Sequence, residues 1–279
     1  MTVIDAHAHI YPEAIASRAV EAVGSFYGVK QEMVGDGTPD GLLKACDGSP
    51  ITHFIVHSVA TTAHSVPTIN TFLAGQQAEH PEFIAFGTMH PDFDDMEGEV
   101  QRALDLGLHG FKLHPDTQMV NMDDPRLMCF YEMIAGRAPV VIHVGDYRYD
   151  YSSPVRLKRV MRAFPDLVVD AAHFAGWSIF DRGYDIMHDA DMRDLVFKER
   201  LFVDSSSTVG LTGARHLAEL VHLWGADCVM FGSDFPMWDP ATELEEQITK
   251  QAPGTFTDDE LEKILYRNAE RFCGVRVAG

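Results

Sequence analysis

The sequence predicts an α/β fold, a single-domain (β/α)8 TIM barrel over residues 1–279. Two observations carry that expectation. Short runs rich in Val, Ile and Phe recur along the whole chain, and helix-like segments that open or close with Pro or Gly lie between most of them. No low-complexity tract or Ser/Gly linker interrupts the alternation, so nothing marks a domain boundary. Strand and helix in alternation imply right-handed βαβ units and a parallel sheet. Eight such units fit a closed barrel better than an open doubly wound sheet, a choice that periodicity alone does not make.

In order, the candidate strands are residues 3–10, 53–59, 83–89, 110–114, 140–144, 167–172, 201–204 and 228–232. The clearest helical segments are 96–106, 125–135, 154–163 and 214–224. The connection 11–50 is the longest without a strand, and its segment 34–40, with two Gly, two Asp and a Pro, reads as an exposed loop, a candidate lid. Residues 257–272 read as a closing helix with Thr257 and Asp258 at its start.

Composition removes several function classes. With 22 Lys+Arg against 42 Asp+Glu, the formal net charge is −20, and no cluster of basic residues offers a nucleic acid the stripe it needs. No run approaches the roughly 18 apolar residues of a membrane span, and no signal peptide opens the chain, so the expected location is the cytoplasm. Cys46, Cys129, Cys228 and Cys273 form no CxxC pair and read as reduced thiols. The expected partner is a small-molecule substrate, with a homodimer as the alternative to a monomer.

The chemistry gathers at the strand ends. Along the first strand Val3, Asp5, His7 and His9 share one face and Ile4, Ala6, Ala8 and Ile10 the other, so two imidazoles point into the barrel at its carboxyl end, where barrel enzymes place their sites. Lys112 and His114 share a face of the fourth strand. His143 ends the fifth, His173 the sixth, and Asp234 follows Gly232 at the eighth. Four histidines and a carboxylate at strand ends suit zinc, manganese or iron better than calcium.

With these residues in view, the chain resembles the amidohydrolase superfamily of metal-dependent barrels, in the branch that contains aminocarboxymuconate semialdehyde decarboxylase. The motifs are IDAHAHIYP at 4–12, GFKLHP at 110–115, VVIHVGD at 140–146, DAAHFAGW at 170–177, MFGSDFPM at 230–237 and RNAERFCG at 267–274. They run in the family's order over nearly the whole chain, and they are specific for fold and metal site but weakly specific for the reaction.

The resemblance implies one divalent metal, Zn2+ first and Mn2+ or Fe2+ as alternatives, held by His7, His9, His143 and Asp234. It makes His173 an acid/base or polarising group and Asp234 the proton acceptor. A two-metal alternative, with a carboxylated Lys112 bridging the ions and His173 as a ligand, stays open. Two reactions follow from such a centre. A metal-bound hydroxide would hydrolyse an ester, lactone or amide of a small carboxylated metabolite, and this is the leading expectation because the chain is compact. The alternative is a lyase that decarboxylates a small unsaturated or aromatic acid. Lys112, Arg148 and Trp177 are weaker substrate-binding candidates, with Arg148 as a clamp on a carboxylate. His53, His57, His64, His90 and His114 read as structural rather than as lining of the mouth, and Asp204 through Ser207 as hydroxyl donors to a substrate or a helix cap.

Overall fold

A strand that is apolar on one face and polar on the other must bury both inside a barrel, and the first strand does so. The computed structural model describes residues 2–28, 33–179, 185–186 and 188–277. Among them β1 (Val3–His9) is buried along its length apart from a partly exposed His9. It is followed by β2 (Ile51–His57), β3 (Phe83–Thr88), β4 (Gly110–Leu113), β5 (Val140–His143), β6 (Val169–Ala172), β7 (Leu201–Asp204) and β8 (Val229–Met230). Each strand pairs in parallel with the next in sequence order. The ring closes through backbone bonds of Ala6 N to Phe231 O (2.8 Å), His9 N to Phe235 O (2.7 Å) and Asp234 N to His7 O (2.8 Å). The architecture is the expected TIM barrel.

The helices expected at 96–106, 125–135 and 154–163 form as α4 (Met96–Asp105), α6 (Pro125–Ile134) and α7 (Pro154–Ala163), and Ala214–Trp224 forms as expected. Pro at the first helical position starts α6 and α7. The strands and the helices around them bury Val, Ile, Leu, Phe and Ala in one continuous core, which holds the open end of the barrel rigid. Gly110 admits no side chain, because a Cβ there would lie 2.3 Å from the Phe86 ring and 2.6 Å from the Pro139 carbonyl oxygen.

The connection 11–50 holds no strand among its described residues, as expected, and carries α1 (Glu13–Tyr27) and α2 (Pro39–Ala45), the second capped by the Thr38 hydroxyl accepting from Gly41 N at 2.9 Å. Its candidate lid lies against the end of the barrel, with Val34 N and Gly35 N both donating to Pro236 O at 3.0 Å. Two expectations need correction. β8 is shorter than expected because its next backbone donors leave the ladder: Phe231 N goes to Ile264 O, Gly232 N to the Ser205 hydroxyl and Ser233 N to the Asp5 carboxylate. The closing helix is not uniform. Asp258–Glu262 starts in a capping box built on Thr257 and Glu260, then one π turn, Lys263–Arg267, precedes Asn268–Cys273, and Ile264 in that wide turn supplies the carbonyl taken by Phe231 N. Also present, and not expected from the sequence, are α3 (Val66–Glu79) and α5 (Pro115–Gln118). No helix among the described residues is long and apolar enough to cross a membrane.

Candidate metal centre

The carboxyl ends of the strands gather imidazoles whose hydrogens are committed outward and whose lone pairs converge. His7 Nδ1 lies 2.7 Å from Asp204 Oδ2, so Nδ1–H donates there and Nε2 keeps its lone pair. That Nε2 is 3.3 Å from His9 Nε2, and Asp234 Oδ1 lies 3.6 Å from both. Two ligand atoms bonded to one ion at about 2.1 Å stand roughly 3.0–3.4 Å apart. The triangle therefore needs to contract only slightly around an ion.

A second pair of nitrogens faces across the same end of the barrel. His143 Nδ1 is 3.0 Å from His173 Nε2, while His173 Nδ1 is held by Ser206, 3.1 Å from its carbonyl and 2.8 Å from its hydroxyl. The rings of His7 and His173 are 5.0 Å apart and link the two pairs. His173, Phe174 and Ala175 carry φ of 59°, 51° and 56°, a run of left-handed backbone that L-residues rarely adopt. The run is tied down by His173 N donating to Asp204 Oδ1 at 3.1 Å and Phe174 N to Asp204 O at 3.0 Å. Asp234 is also left-handed, at φ 67°, and its Oδ2 accepts from the Ser207 hydroxyl at 2.5 Å.

Burial sets the charge states. It pushes His9 and His143 well below the usual imidazole range and His173 down to about 4, so these rings are neutral at pH 7. Burial also works to raise the Asp234 carboxyl, but His7, His173, His9 and the Ser207 hydroxyl outweigh it and hold it below the ordinary carboxylate range. Lys112 is fully buried, and burial pulls its ammonium down to about 8 against the attraction of Asp204, Asp234 and Asp170. Its Nζ donates to His7 Nε2 at 3.1 Å. Neutral imidazoles facing one another beside an anionic carboxylate form a donor set that fits a divalent cation.

These groups form the floor of a cavity of about 400 Å³. His7, His9, Lys112, His143, His173 and Asp234 all line it, and its walls are mainly apolar, with Ile15, Ala19, Ala22 and Val23 from α1, Ile69 and Phe72 from α3, and Met33 and Met237, beside the hydroxyls of Ser58, Thr61, Thr62, Ser65, Thr68 and Thr117. Tyr27 and Tyr11 add hydroxyls, both kept neutral by burial. Such a space takes a flat or branched apolar body with a polar head directed at the floor.

Arg148 and Trp177 stand differently from expectation. Arg148 is not among the residues that line the cavity. Its Nε and Nη2 reach Asp146 at 2.9 and 2.6 Å, and its Nη1 donates to Phe26 O at 2.5 Å. Phe26, Tyr27, Tyr149 and Trp177 surround that guanidinium, so it braces the end of α1. Trp177 packs 4.6 Å from the Tyr27 ring and stands behind the wall. The hydroxyls of Ser205, Ser206 and Ser207, expected as donors to a substrate, are given instead to Gln247, Asp204 and Asp234 respectively, and none of the three lines the cavity. His53 is half-buried away from the cavity, with its Nδ1 3.0 Å from the Thr52 hydroxyl.

Sequence reasoning gave too little weight to two histidines. His57 is fully buried, its ring 4.7 Å from His7 and 4.4 Å from His9, and neither of its nitrogens has a hydrogen-bond partner among the described residues. His114 stacks on His143 at 3.9 Å; its Nδ1 accepts from Thr117 N at 3.3 Å, so Nε2–H donates to Tyr27 at 2.5 Å. The available signal was position: His57 ends β2 beside His9 in register, and His114 follows β4.

Comparison with known proteins agrees with this fold. The amidohydrolase family model (Amidohydro_2) matches residues 4–275. No curated protein matches the sequence. Among solved structures, an uncharacterized TIM-barrel protein from Bordetella bronchiseptica is 18% identical over 98% of this chain and 99% of its own, with a TM-score of 0.74. A 2,6-dihydroxybenzoate decarboxylase from Rhizobium is 19% identical over 98% of each chain, with a TM-score of 0.69. A 5-carboxyvanillate decarboxylase from Novosphingobium aromaticivorans, complexed with manganese and a nitrobenzoic acid, is 15% identical over 98% of this chain and 96% of its own, with a TM-score of 0.73.

Proposed function

This chain belongs to the amidohydrolase family, and from that premise we propose that it is a metal-dependent decarboxylase of a small aromatic acid. The observation that carries the reading is the cavity: apolar walls stand over a floor of neutral histidines, one carboxylate and one buried ammonium. The decarboxylases of hydroxylated benzoates among its structural neighbours favour this reaction over the hydrolysis expected from the sequence.

His7, His9, His143 and Asp234 would hold the ion, and manganese, present in two kinds of neighbouring decarboxylase, stands beside zinc as a candidate. Bound there, a divalent cation would supply a Lewis acid for oxygen atoms of the substrate. The chain's own residues do the rest. Lys112 Nζ, with N–H groups beyond the one given to His7, binds an anionic oxygen at the floor. Tyr27, whose oxygen accepts from His114, keeps its own O–H to donate into the cavity. The walls of α1 and α3 exclude water, which disfavours a localised carboxylate charge relative to the neutral CO2 that leaves. The bond between ring carbon and carboxyl carbon breaks, its electron pair stays on the ring carbon, and that carbon takes a proton from solvent, which the lone pair of His173 Nε2 picks up and hands on. Ser206 holds the opposite edge of that ring, so Nε2 stays directed at the cavity.

The test is to incubate manganese- and zinc-loaded protein in D2O with dihydroxybenzoates and hydroxylated methoxybenzoates, and in parallel in ¹⁸O-water with lactones and esters. CO2 release with one deuterium at the vacated ring carbon supports the proposal. Label from ¹⁸O-water in a product carboxylate, without CO2, returns the chain to the hydrolases.

A further inference from the structure

α1 is fastened at its two ends and left unpacked along one face. It begins just after β1, where Tyr11 N donates to Gly37 O at 2.8 Å. At its other end the Tyr27 oxygen accepts from His114, the residue after β4, at 2.5 Å, and Phe26 O accepts from Arg148 in the loop after β5. The helix therefore crosses the end of the barrel from β1 toward β4 and β5. A helix of 15 residues is marginal alone in water and draws most of its stability from an apolar face that it buries. Yet only Ala16 and Gly24 of α1 are fully buried. Ile15, Ala19, Ala22 and Val23, spaced as one stripe of a helix, line the cavity instead, and among the described residues none of the four belongs to the barrel core or packs against it.

The position of the stripe says what covers it. It faces into the same cavity whose floor is the candidate metal centre, where Ile69 and Phe72 of α3 add apolar surface, so its occupant is a molecule that reaches the floor as well. A volume of about 400 Å³ falls among pockets that take drug-sized ligands, roughly 300–1,000 Å³, and a single benzoate ring leaves much of it unfilled. With the acid head on the polar floor, the ring position para to the carboxylate is the one farthest from the floor. A substituent there meets apolar walls. Ala19 and Ala22, the smallest side chains of the stripe, give it room, and Ile15, 41% exposed, marks where the cavity opens to solvent.

We propose that the substrate is an aromatic acid carrying an alkyl chain para to its carboxylate, and that Ala19 and Ala22 set the length of chain accepted. The aromatic acid head rests on the decarboxylase reading above; the site for the chain does not. Each CH2 buried against these walls tightens binding about fourfold, until the chain reaches solvent.

Binding is read without turnover by isothermal titration of the Mn2+-loaded protein with 2-nitroresorcinol, in which a nitro group stands where the carboxylate of 2,6-dihydroxybenzoate would, and with its 5-alkyl derivatives from methyl to pentyl. The expected result is a Kd that falls about fourfold per CH2 over the first carbons and then levels off. In Ala19→Phe and Ala22→Phe that increment should disappear, measured within each variant against its own affinity for 2-nitroresorcinol. Ala22→Val, a smaller filling, should shorten the run of increments, which keeps the test open if a Phe variant fails to fold. Steady-state kcat/KM for 4-alkyl-2,6-dihydroxybenzoates should follow the same series. A Kd that does not change with chain length in the parent protein overturns the proposal, and so do increments that survive intact in all three variants. If 2-nitroresorcinol does not bind, the decarboxylase reading fails; linear acids from butanoic to octanoic, titrated into the parent and the same variants, then decide the chain site by the same increment.

Discussion

Lys112→Met separates the site reading from a structural role more sharply than any other single change. Lys112 is the one Lys or Arg among the described residues that line the cavity, it is fully buried, and it spends one N–H on His7 Nε2 at 3.1 Å. A hydrogen bond from such a charge to a substrate anion contributes about 1.5–3 kcal/mol. Its loss should lower kcat/KM for the decarboxylated acid by about 10- to 150-fold, at roughly 1.4 kcal/mol per decade. Stability should move the other way. Burial lowers this ammonium from 10.5 to about 8, so the folded state holds the proton less tightly than the unfolded chain does. That cost is fully present below pH 8 and vanishes above about 10.5. Removing the charge should stabilise the metal-free protein at pH 7 by up to about 3 kcal/mol, and much less at pH 10.5. Urea unfolding at the two pH values and steady-state kinetics at saturating metal measure both effects. An unchanged kcat/KM would refute the assignment to substrate. A metal content falling from two ions to one would instead show a carboxylated, bridging lysine.

Three further outcomes are expected. His9→Ala, at the partly exposed end of β1, should abolish metal uptake in elemental analysis while leaving the melting temperature of the metal-free protein nearly unchanged, since the apolar core does not use that ring. Asp234→Asn should weaken metal binding and should not be rescued by excess metal, whereas His173→Asn should keep its metal and lose about 10²–10⁴ in kcat; full recovery of His173→Asn by added metal would make His173 a ligand. Glu243 is 3% exposed, and burial raises its carboxyl to about 7 although Gln247 donates to it at 2.8 Å. Because the folded state holds this proton more tightly, stability falls as pH rises from 4.5 to about 7, and Glu243→Gln should stabilise the protein by about 3 kcal/mol at pH 8 and by nothing at pH 4.5. An equal gain at both pH values in urea unfolding would show that buried charge is not the cause.

What the sequence made legible follows from period. Along β1 the alternation of Asp5, His7 and His9 with Ile4, Ala6 and Ala8 is visible to the eye, and the structure places both imidazoles at the cavity floor. His173 and Asp234 were also legible, as polar residues ending apolar runs, but their left-handed backbone was not, since it depends on bonds to Asp204 and His7 from distant strands. The cavity walls were hidden for a different reason. α1 and α3 both line the cavity although β2 separates them in the chain, and a helix that turns Ile15, Ala19, Ala22 and Val23 toward a cavity looks in sequence like one that packs on a core. The pairing of Arg148 was not legible because its partner, Asp146, stands two residues away in the same loop, and such a local pair leaves no periodic trace.

Asp204 explains why the two halves of this centre stay in register. From the end of β7 its Oδ2 takes the Nδ1 proton of His7, while its Oδ1 accepts from the backbone of His173 at 3.1 Å and of Ser206 at 3.0 Å. Burial works to raise its carboxyl, but His7, His173 and Ser206 hold it well below the ordinary range, so it is anionic throughout. One buried charge thus fixes a ring on β1 and the left-handed turn after β6. A metal held between those elements would not have to assemble them; it would replace the Lys112 proton at His7 Nε2 as the partner of a lone pair already aimed at it. That is the sense in which the apolar walls and the neutral histidines belong together: the first keep water from those lone pairs, and the second leave them free for a cation.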